Sequence, residues 1–302
     1  MPEPTARDLG EFGLIAAVVA RFGTSPAVLL GPGDDAAVVA IPDGRVVATT
    51  DLLVEGVHFR RDWSSAYDVG RKAAAANLAD VAAMGGVGTA LLVGLAAPPE
   101  LPVAWALGLA DGLRDEAALV GAVVVGGDTV TGGQIVVSVT ALGSLGGLSP
   151  VTRAGARPGD SVVLAGRLGW SAAGLALLRN GSRDGRLIEA HRRPTPPYAL
   201  GPALAGAGAT AMCDVSDGLL ADLGHIARAS GVVIGLDNGR LADDSVSLEQ
   251  VLHGGEDHAL VATLPAGSTL PDGCRAIGQV SAGVPAVLVD GQPAAGGWEH
   301  FR

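Results

Sequence analysis

Lysine is almost missing from this chain: Lys72 is the only one in 302 residues, and arginine supplies the rest of the positive charge. Acidic side chains outnumber basic ones 31 to 20, a formal net charge of −11. No basic stripe is left to follow a nucleic-acid backbone, so nucleic acid is not expected as a partner. The G-x-x-x-x-G-K-[ST] phosphate loop is absent too, because Lys72 follows Gly70-Arg71. Any bound nucleotide must have its charge neutralised by metal ions and by arginines such as Arg153. Cysteine is nearly as scarce. Cys213 and Cys274 form no CxxC pair, and the polar start of the chain has no signal-peptide pattern, so a cytoplasmic location is expected. Asp237-Asn238-Gly239 lacks the spaced ligands and closing glutamate of a calcium loop. The apolar run 81–97 is broken by Gly85, Gly86 and Gly88 and ended by Pro98-Pro99. It predicts a helix end and a buried strand rather than a bilayer span, and no membrane partner. With aromatics at 3%, alanine, valine, leucine and glycine must fill the core.

What is present is a globular composition, 48% hydrophobic and 17% charged, with length for two domains. Periodicity predicts helices over 11–21, 68–84, 103–119, 171–179 and from 219 to the stop at Gly231. It predicts strands over 28–30, 36–41, 45–50, 89–96, 123–125, 135–142 and 161–165, then 210–215, 232–236, 258–263, 276–280 and 286–289. The mixture is α/β or α+β. The turn-rich stretch 146–150 separates an expected domain 1–148 from a second, 149–302.

Aspartates recur along this pattern. Asp34 and Asp35 follow Gly31-Pro32-Gly33, Asp51 follows 46–50, Asp128 follows 123–127, Asp214 closes a strand and Asp217 opens a helix. Most fall where a strand meets a loop, which is where open sheets place ligands. The stretch GPGDDA at 31–36 fits G-x-G-x-x-A loosely, but a strand follows it and two carboxylates would repel a pyrophosphate, so a dinucleotide site is rejected. An aspartate after a strand also serves as a turn former or cap, and Asp217 is a cap candidate. Asp80 differs: it sits mid-helix, one turn after Asn77, where a weak helix former has no local reason to be. Carboxylates without cysteine or histidine partners suit magnesium better than zinc.

The ordered set GEFGLIA (10–16), GPGDDAAVV (31–39), TTDLLVEGVHF (49–59), NLADVAAMGG (77–86), GGDTV (126–130), TRAGARPGD (152–160), DVSDGLLADLGHI (214–226) and GGED (254–257) resembles the thiamine-monophosphate kinase family. That family belongs to the superfamily of aminoimidazole ribonucleotide synthetase and selenophosphate synthetase. The resemblance implies a two-domain fold of that superfamily. The N-terminal sheet, in an ATP- and magnesium-binding domain, would form a barrel across a homodimer, and an α/β domain would follow. It implies ATP as donor, thiamine phosphate as acceptor and several Mg2+ ions. By resemblance Asp35, Thr49, Thr50, Asp51, Asp80, Asp128, Asp214 and Asp217 are magnesium ligands, and Asp80, Asp128 and Asp217 are counted as catalytic. Gly127, Asp128, Arg153 and Ser216 would contact ATP, and His58, Glu256 and Trp298 thiamine phosphate.

Each assignment has a structural alternative. His58 sits between Val57 and Phe59 as a core histidine would, Arg153 suits a surface, Glu256 completes a turn, and Trp298 packs or offers a face to a cationic ring. Three features depart from the family: Pro197 stands where an arginine is usual, 117–125 has no aromatic for an adenine, and Trp298 replaces a frequent tyrosine. Sister families fit less well. Residues 1–30 hold no reactive cysteine, the chain ends Glu299-His300-Phe301-Arg302 rather than in cysteine, and no DGVGTK-type stretch occurs. A nucleotide-sensing scaffold and a magnesium phosphohydrolase are the alternatives from other classes.

The chemistry explains why acids would be gathered. A phosphate monoester has a second pKa of about 6 and is largely a dianion at neutral pH. It must approach the γ-phosphate of ATP, and two unit charges about 4 Å apart repel by roughly 4 kcal/mol at an effective dielectric of about 20. Cations held by carboxylates remove that repulsion.

Overall fold

The computed structural model describes residues 4–31 and 37–298, without the side chains of Glu11 and Phe12. Asp34 and Asp35 lie outside the described residues. The chain divides into two units, Met1–Val81 with Val87–Gly146, and Ala82–Gly86 with Gly147–Arg302.

The first unit runs α1 (Ala6–Val19), β1 (Val28–Leu30), β2 (Val38–Val39), β3 (Val47–Val54), α2 (Ala66–Ala83), β4 (Val87–Ala97), α3 (Val103–Ala118), β5 (Val123–Thr131) and β6 (Val136–Ser144). Helix α1 opens with a Thr5–Asp8 capping box and leaves helical geometry at Gly10, where φ is 68°. Helix α2 starts with a similar reciprocal pair: Ser65 N–H donates to Asp68 Oδ2 (2.9 Å), and Asp68 N–H donates to Ser65 Oγ (3.2 Å). The main sheet has the order β3-β6-β4-β5, with only β4–β5 parallel.

One face of this sheet carries buried Leu53, Leu91, Leu95, Val137, Val139 and Ala141. Helix α2 covers it with a surface made largely of alanine, Ala73, Ala74, Ala75, Ala76 and Ala79 all being buried. Helices α2 and α3 cross at glycines. A Cβ on Gly70 would lie 2.2 Å from Leu109 O, and one on Gly112 2.1 Å from Tyr67 O, so only glycine permits this approach. The other face of the sheet is exposed at Leu52 (52%), Leu92 (37%) and Val130 (52%).

The second unit runs β7 (Ser161–Ala165), α4 (Trp170–Arg179), α5 (Arg186–Arg192), α6 (Leu200–Gly206), β8 (Ala211–Val215), α7 (Leu219–Ser230), β9 (Val233–Leu236), α8 (Asn238–Leu241), α9 (Leu248–His253), β10 (Ala259–Leu264), β11 (Cys274–Ser281), β12 (Ala286–Val289) and β13 (Gln292–Pro293). Its sheet has the order β13-β12-β9-β11-β7-β10-β8, antiparallel except for β12–β9. Central strands are apolar on both faces. Val162 and Leu164 join the α7 residues Leu219, Leu223 and Ile226 in one core, while Val163 and Ala165 join Leu204 of α6 in another.

The mixed α/β class in two units agrees with the sequence. Two expectations need correction. Strands β3 and β5 do not stop at residues 50 and 125; their ladders run through Asp51 to Val54 and through Asp128 to Thr131. Asp51 and Asp128 therefore lie within strands and not beyond strand ends. In addition, 186–192 and 200–206, for which periodicity predicted no element, are helices.

Candidate active site

In the first unit, register decides which acids meet. Along β3 side chains alternate, so Thr49 and Asp51 face α2 while Thr50 faces the opposite side. Thr49 Oγ1 donates to Asp80 Oδ2 at 2.6 Å. Asp51 N–H donates to Asn77 Oδ1 (3.0 Å), and Asn77 Nδ2 is held by Ala73 O (2.9 Å). The i, i+3 spacing of Asn77 and Asp80 thus serves one purpose: both side chains of α2 reach β3.

Thr50 donates instead to Val139 O (3.0 Å) and accepts from Thr140 Oγ1 (3.1 Å). Asp128 pairs in register with Gly94, and Gly94 with Ser138, on the exposed face that Thr50 shares. Asp128 lines a cleft of about 480 Å3 with Arg7, Gly10, Leu14, Leu95 and Thr129. Gly127 lies inside β5, where a Cβ would fall 1.8 Å from Val93 O. The oxygen donors of this unit are therefore divided between two faces, Thr49, Asp51 and Asp80 on one and Thr50 and Asp128 on the other. His58 closes the turn after β3: its Nδ1 accepts from Val54 N–H (3.0 Å), which places its ring proton on Nε2. Lys72 Nζ donates to His58 O (3.2 Å).

In the second unit the loop Ser216-Asp217-Gly218, between β8 and α7, is the hub. Glu256 N–H donates to Ser216 O (2.8 Å), and Trp298 N–H donates to Asp217 O (2.9 Å). Residues from three distant stretches of chain are thereby brought together. Gly255 makes this possible, since a Cβ there would lie 2.2 Å from Ser216 O. Glu256 and His258 both have left-handed backbone, with φ of 63° and 52°. That conformation is rare outside glycine and marks a constrained loop.

Asp217 is not the helix cap. Gly218 stands at that position, and Asp222 Oδ2 accepts from both Asp217 N–H and Gly218 N–H at 3.1 Å. Asp214 is buried and lies 3.0 Å from His258 Nδ1. Asp257 accepts from Gly169 N–H (2.6 Å) and Ser171 N–H (2.8 Å), at the start of α4. Arg153 binds through its backbone oxygen to Ser230 Oγ (3.1 Å), and its positive charge acts on Asp222, Cys213 and His225. Trp298 is 60% exposed.

Burial, and then the charge of Asp214, push the Asp222 carboxyl up to about 7. Burial raises Asp257 to about 6 against the pull of its two backbone donors. Among the described residues no three His, Cys, Asp or Glu side chains form a closed metal cage. What fits magnesium is the donor chemistry of the first unit, carboxylate and hydroxyl oxygens, few per group; in the second unit carboxylates repel one another, but Asp214 already has the His258 ring nitrogen beside it. His258, Asp222 and Asp257 were missed in the sequence. The signal available was three acids in DVSDGLLAD and the polar run after Gly254-Gly255.

Fold and loops together define a two-domain protein of the AIR synthase related class. Residues 33–145 match the AIR synthase related protein, N-terminal domain, and 157–285 its C-terminal domain. Thiamine-monophosphate kinase of Mycobacterium tuberculosis is 51% identical over 313 residues, spanning 99% of this chain and 93% of its own. That of Corynebacterium glutamicum is 41% identical, spanning 92% and 88%. The solved structure of AaThiL complexed with AMPPCP and TMP superposes with a TM-score of 0.80 at 34% identity, covering 98% of both chains. The chain belongs to the thiamine-monophosphate kinase family.

Proposed function

We infer that this protein phosphorylates thiamine monophosphate to thiamine diphosphate with ATP as donor. The observation that carries this is the end-to-end likeness to thiamine-monophosphate kinases, 51% identical across 99% of the chain. The AaThiL complex adds that a protein of this fold binds AMPPCP and TMP.

In this reading Thr49, Asp51 and Asp80 on one sheet face, Thr50 and Asp128 on the other, Asp35, and Asp214 and Asp217 of the second unit hold magnesium. Bound Mg2+ supplies charge neutralisation between two anionic reactants. The acceptor phosphate is already ionised at neutral pH and needs no strong general base. Transfer is direct and in line, since among the described residues no serine or histidine pair is set up as an exposed nucleophile. A phosphorylated side chain trapped during turnover would refute this.

Gly127, where backbone is exposed for want of a side chain, together with Asp128, Arg153 and Ser216, binds ATP. His58, Glu256 and Trp298 bind thiamine phosphate, with carboxylate and indole suited to a cationic ring. Residues 1–148 would then carry ATP, magnesium and dimerisation, and 149–302 would form the C-terminal domain. The homodimer is supported by the exposed apolar sheet face at Leu52, Leu92 and Val130, a surface a lone soluble domain rarely leaves uncovered. Among the described residues no helix is long and apolar enough to cross a membrane; we place the protein in the cytoplasm.

The test is product analysis with Mg-ATP and thiamine phosphate. ADP with thiamine diphosphate is expected. ADP with free phosphate would instead mean a phosphohydrolase, and binding without turnover a sensing scaffold.

A further inference from the structure

Ser171 and His191 form a buried polar pair that the function above does not use. Ser171 is 1% exposed on the first turn of α4, and His191 is 4% exposed on α5. Ser171 Oγ and His191 Nδ1 are 3.0 Å apart. The same Nδ1 lies 3.6 Å from Glu256 Oε2. A buried polar pair of this kind has to be justified by what it holds, because desolvating it costs stability.

The carboxylate favours one tautomer. A proton on Nδ1 would be donated to Ser171 Oγ at 3.0 Å and would present its positive end to Glu256 Oε2, which at 3.6 Å is in electrostatic contact and not hydrogen-bonded. Backbone packing fixes the two helices that carry the pair. A Cβ on Gly174 would lie 2.1 Å from Leu187 O and 3.0 Å from His191 Cβ, so α4 and α5 are in backbone contact beside the ring. The next residue of the loop is tied to the same place, Asp257 accepting from Ser171 N–H and Gly169 N–H. The start of α4 therefore grips both acids of Gly254-Gly255-Glu256-Asp257, one directly and one through His191.

We propose that His191, fixed by Ser171, is a positioning residue that aims the Glu256 carboxylate at the cationic part of the acceptor and so tunes acceptor affinity and not the donor side. This rests on the reading of Glu256 as a thiamine phosphate contact. His191 itself is buried behind Glu256 and acts only through it.

Steady-state kinetics of the full chain test it, with KM for thiamine phosphate and for ATP measured separately. His191→Leu should raise KM for thiamine phosphate about tenfold, the scale of leaving a buried polar partner unpaired beside that carboxylate. KM for ATP and kcat should stay within about twofold. His191→Asn, whose amide can donate from near the Nδ1 position, should recover most of the loss. In a Glu256→Gln background His191→Leu should add nothing, because its effect passes through that carboxylate. Additive effects in that cycle, a parallel rise in KM for ATP, or an asparagine variant as poor as leucine at equal thermal stability would overturn the proposal. If His191→Leu fails to unfold cooperatively, Ser171→Ala decides by the same split, with an expected rise of about threefold. Wild-type protein that makes no thiamine diphosphate overturns the functional reading and this proposal together; active wild type with an unaltered His191→Leu overturns this proposal alone.

Discussion

The two units place carboxylates by opposite means. In the first, Asp51 and Asp80 stand on regular elements, a strand and the helix packed on it, and each contact comes from register: Thr49 to Asp80, and Asn77 to the backbone of Asp51. In the second, Asp214 closes strand β8 and Asp217 lies in the loop after it; that loop is held by other loops through Glu256 and Trp298 and by Asp222 from the first turn of α7. Regular elements let an acid be partnered by a short hydroxyl or amide already in place. Where strand, loop and helix start converge, acids are gathered closely and buried, and the result is an Asp222 carboxyl raised to about 7. The lesson is that the first unit's contacts are pre-set by periodicity, whereas the cluster around the Ser216-Asp217-Gly218 loop stores burial cost and repulsion that a ligand can release.

Four experiments would break or sharpen that contrast. Asp80→Asn keeps an acceptor for Thr49 but removes the charge. Turnover should fall by about a hundredfold or more, the scale of losing one electrostatic stabiliser, with thermal stability little changed. Near-normal activity would remove Asp80 from the metal-binding set.

The next largest effect is on stability against pH. Asp222 has a folded pKa of about 7, against an unfolded value of about 3.9. Between these values the unfolded chain has released a proton that the folded chain keeps, so stability falls as pH rises through this window and levels off above it. Asp257, at about 6, acts with the same sign over a narrower window. Denaturant unfolding without divalent ions should show a loss on the order of a few kcal/mol from about pH 4 to about pH 7. Asp222→Asn should flatten most of it, and added Mg2+ should raise stability more at about pH 8 than at about pH 5. A slope unchanged by that substitution would move the stored repulsion elsewhere.

Gly255→Ala sets a methyl against Ser216 O and should destabilise the protein by about 1–3 kcal/mol while weakening thiamine phosphate binding. Unchanged binding would show that the loop hub does not position Glu256. Smallest is Ser65→Ala, which removes the cap that starts α2. It should cost about 1 kcal/mol and a few degrees of melting temperature, with kcat intact, since the register of Asp80 is set further along the helix.

The difference between the units also explains what could be seen in advance. Asp80 among alanines was legible because a helix with an unexplained acid violates propensity, and the structure partners that acid with Thr49. Strands 28–30, 161–165 and 286–289 were legible from short β-branched runs. The ends of β3 and β5 were not. Thr-Thr-Asp and Gly-Gly-Asp look like turns, yet ladder hydrogen bonds to β6 and β4 carry both strands onward. Helix α5 escaped because its seven residues are mostly polar and it is held by contact with α4. Pairings such as His258 with Asp214, 44 positions apart, depend on strand order, which local pattern does not encode.

The alanine surface of α2 has a further consequence. Alanine has no rotamers to surrender on folding and none to adjust afterwards. Leucines at such a contact could swivel to absorb an intruding atom; methyl groups cannot, and the glycine crossing with α3 prevents the helix from backing away. An added branch at Ala76 or Ala79, harmless by polarity, would be transmitted as displacement of the neighbouring carboxylate. The clearance at which Asp80 operates is thus set by the smallest side chains in the molecule, and genetic drift should be slowest where the chemistry itself is silent.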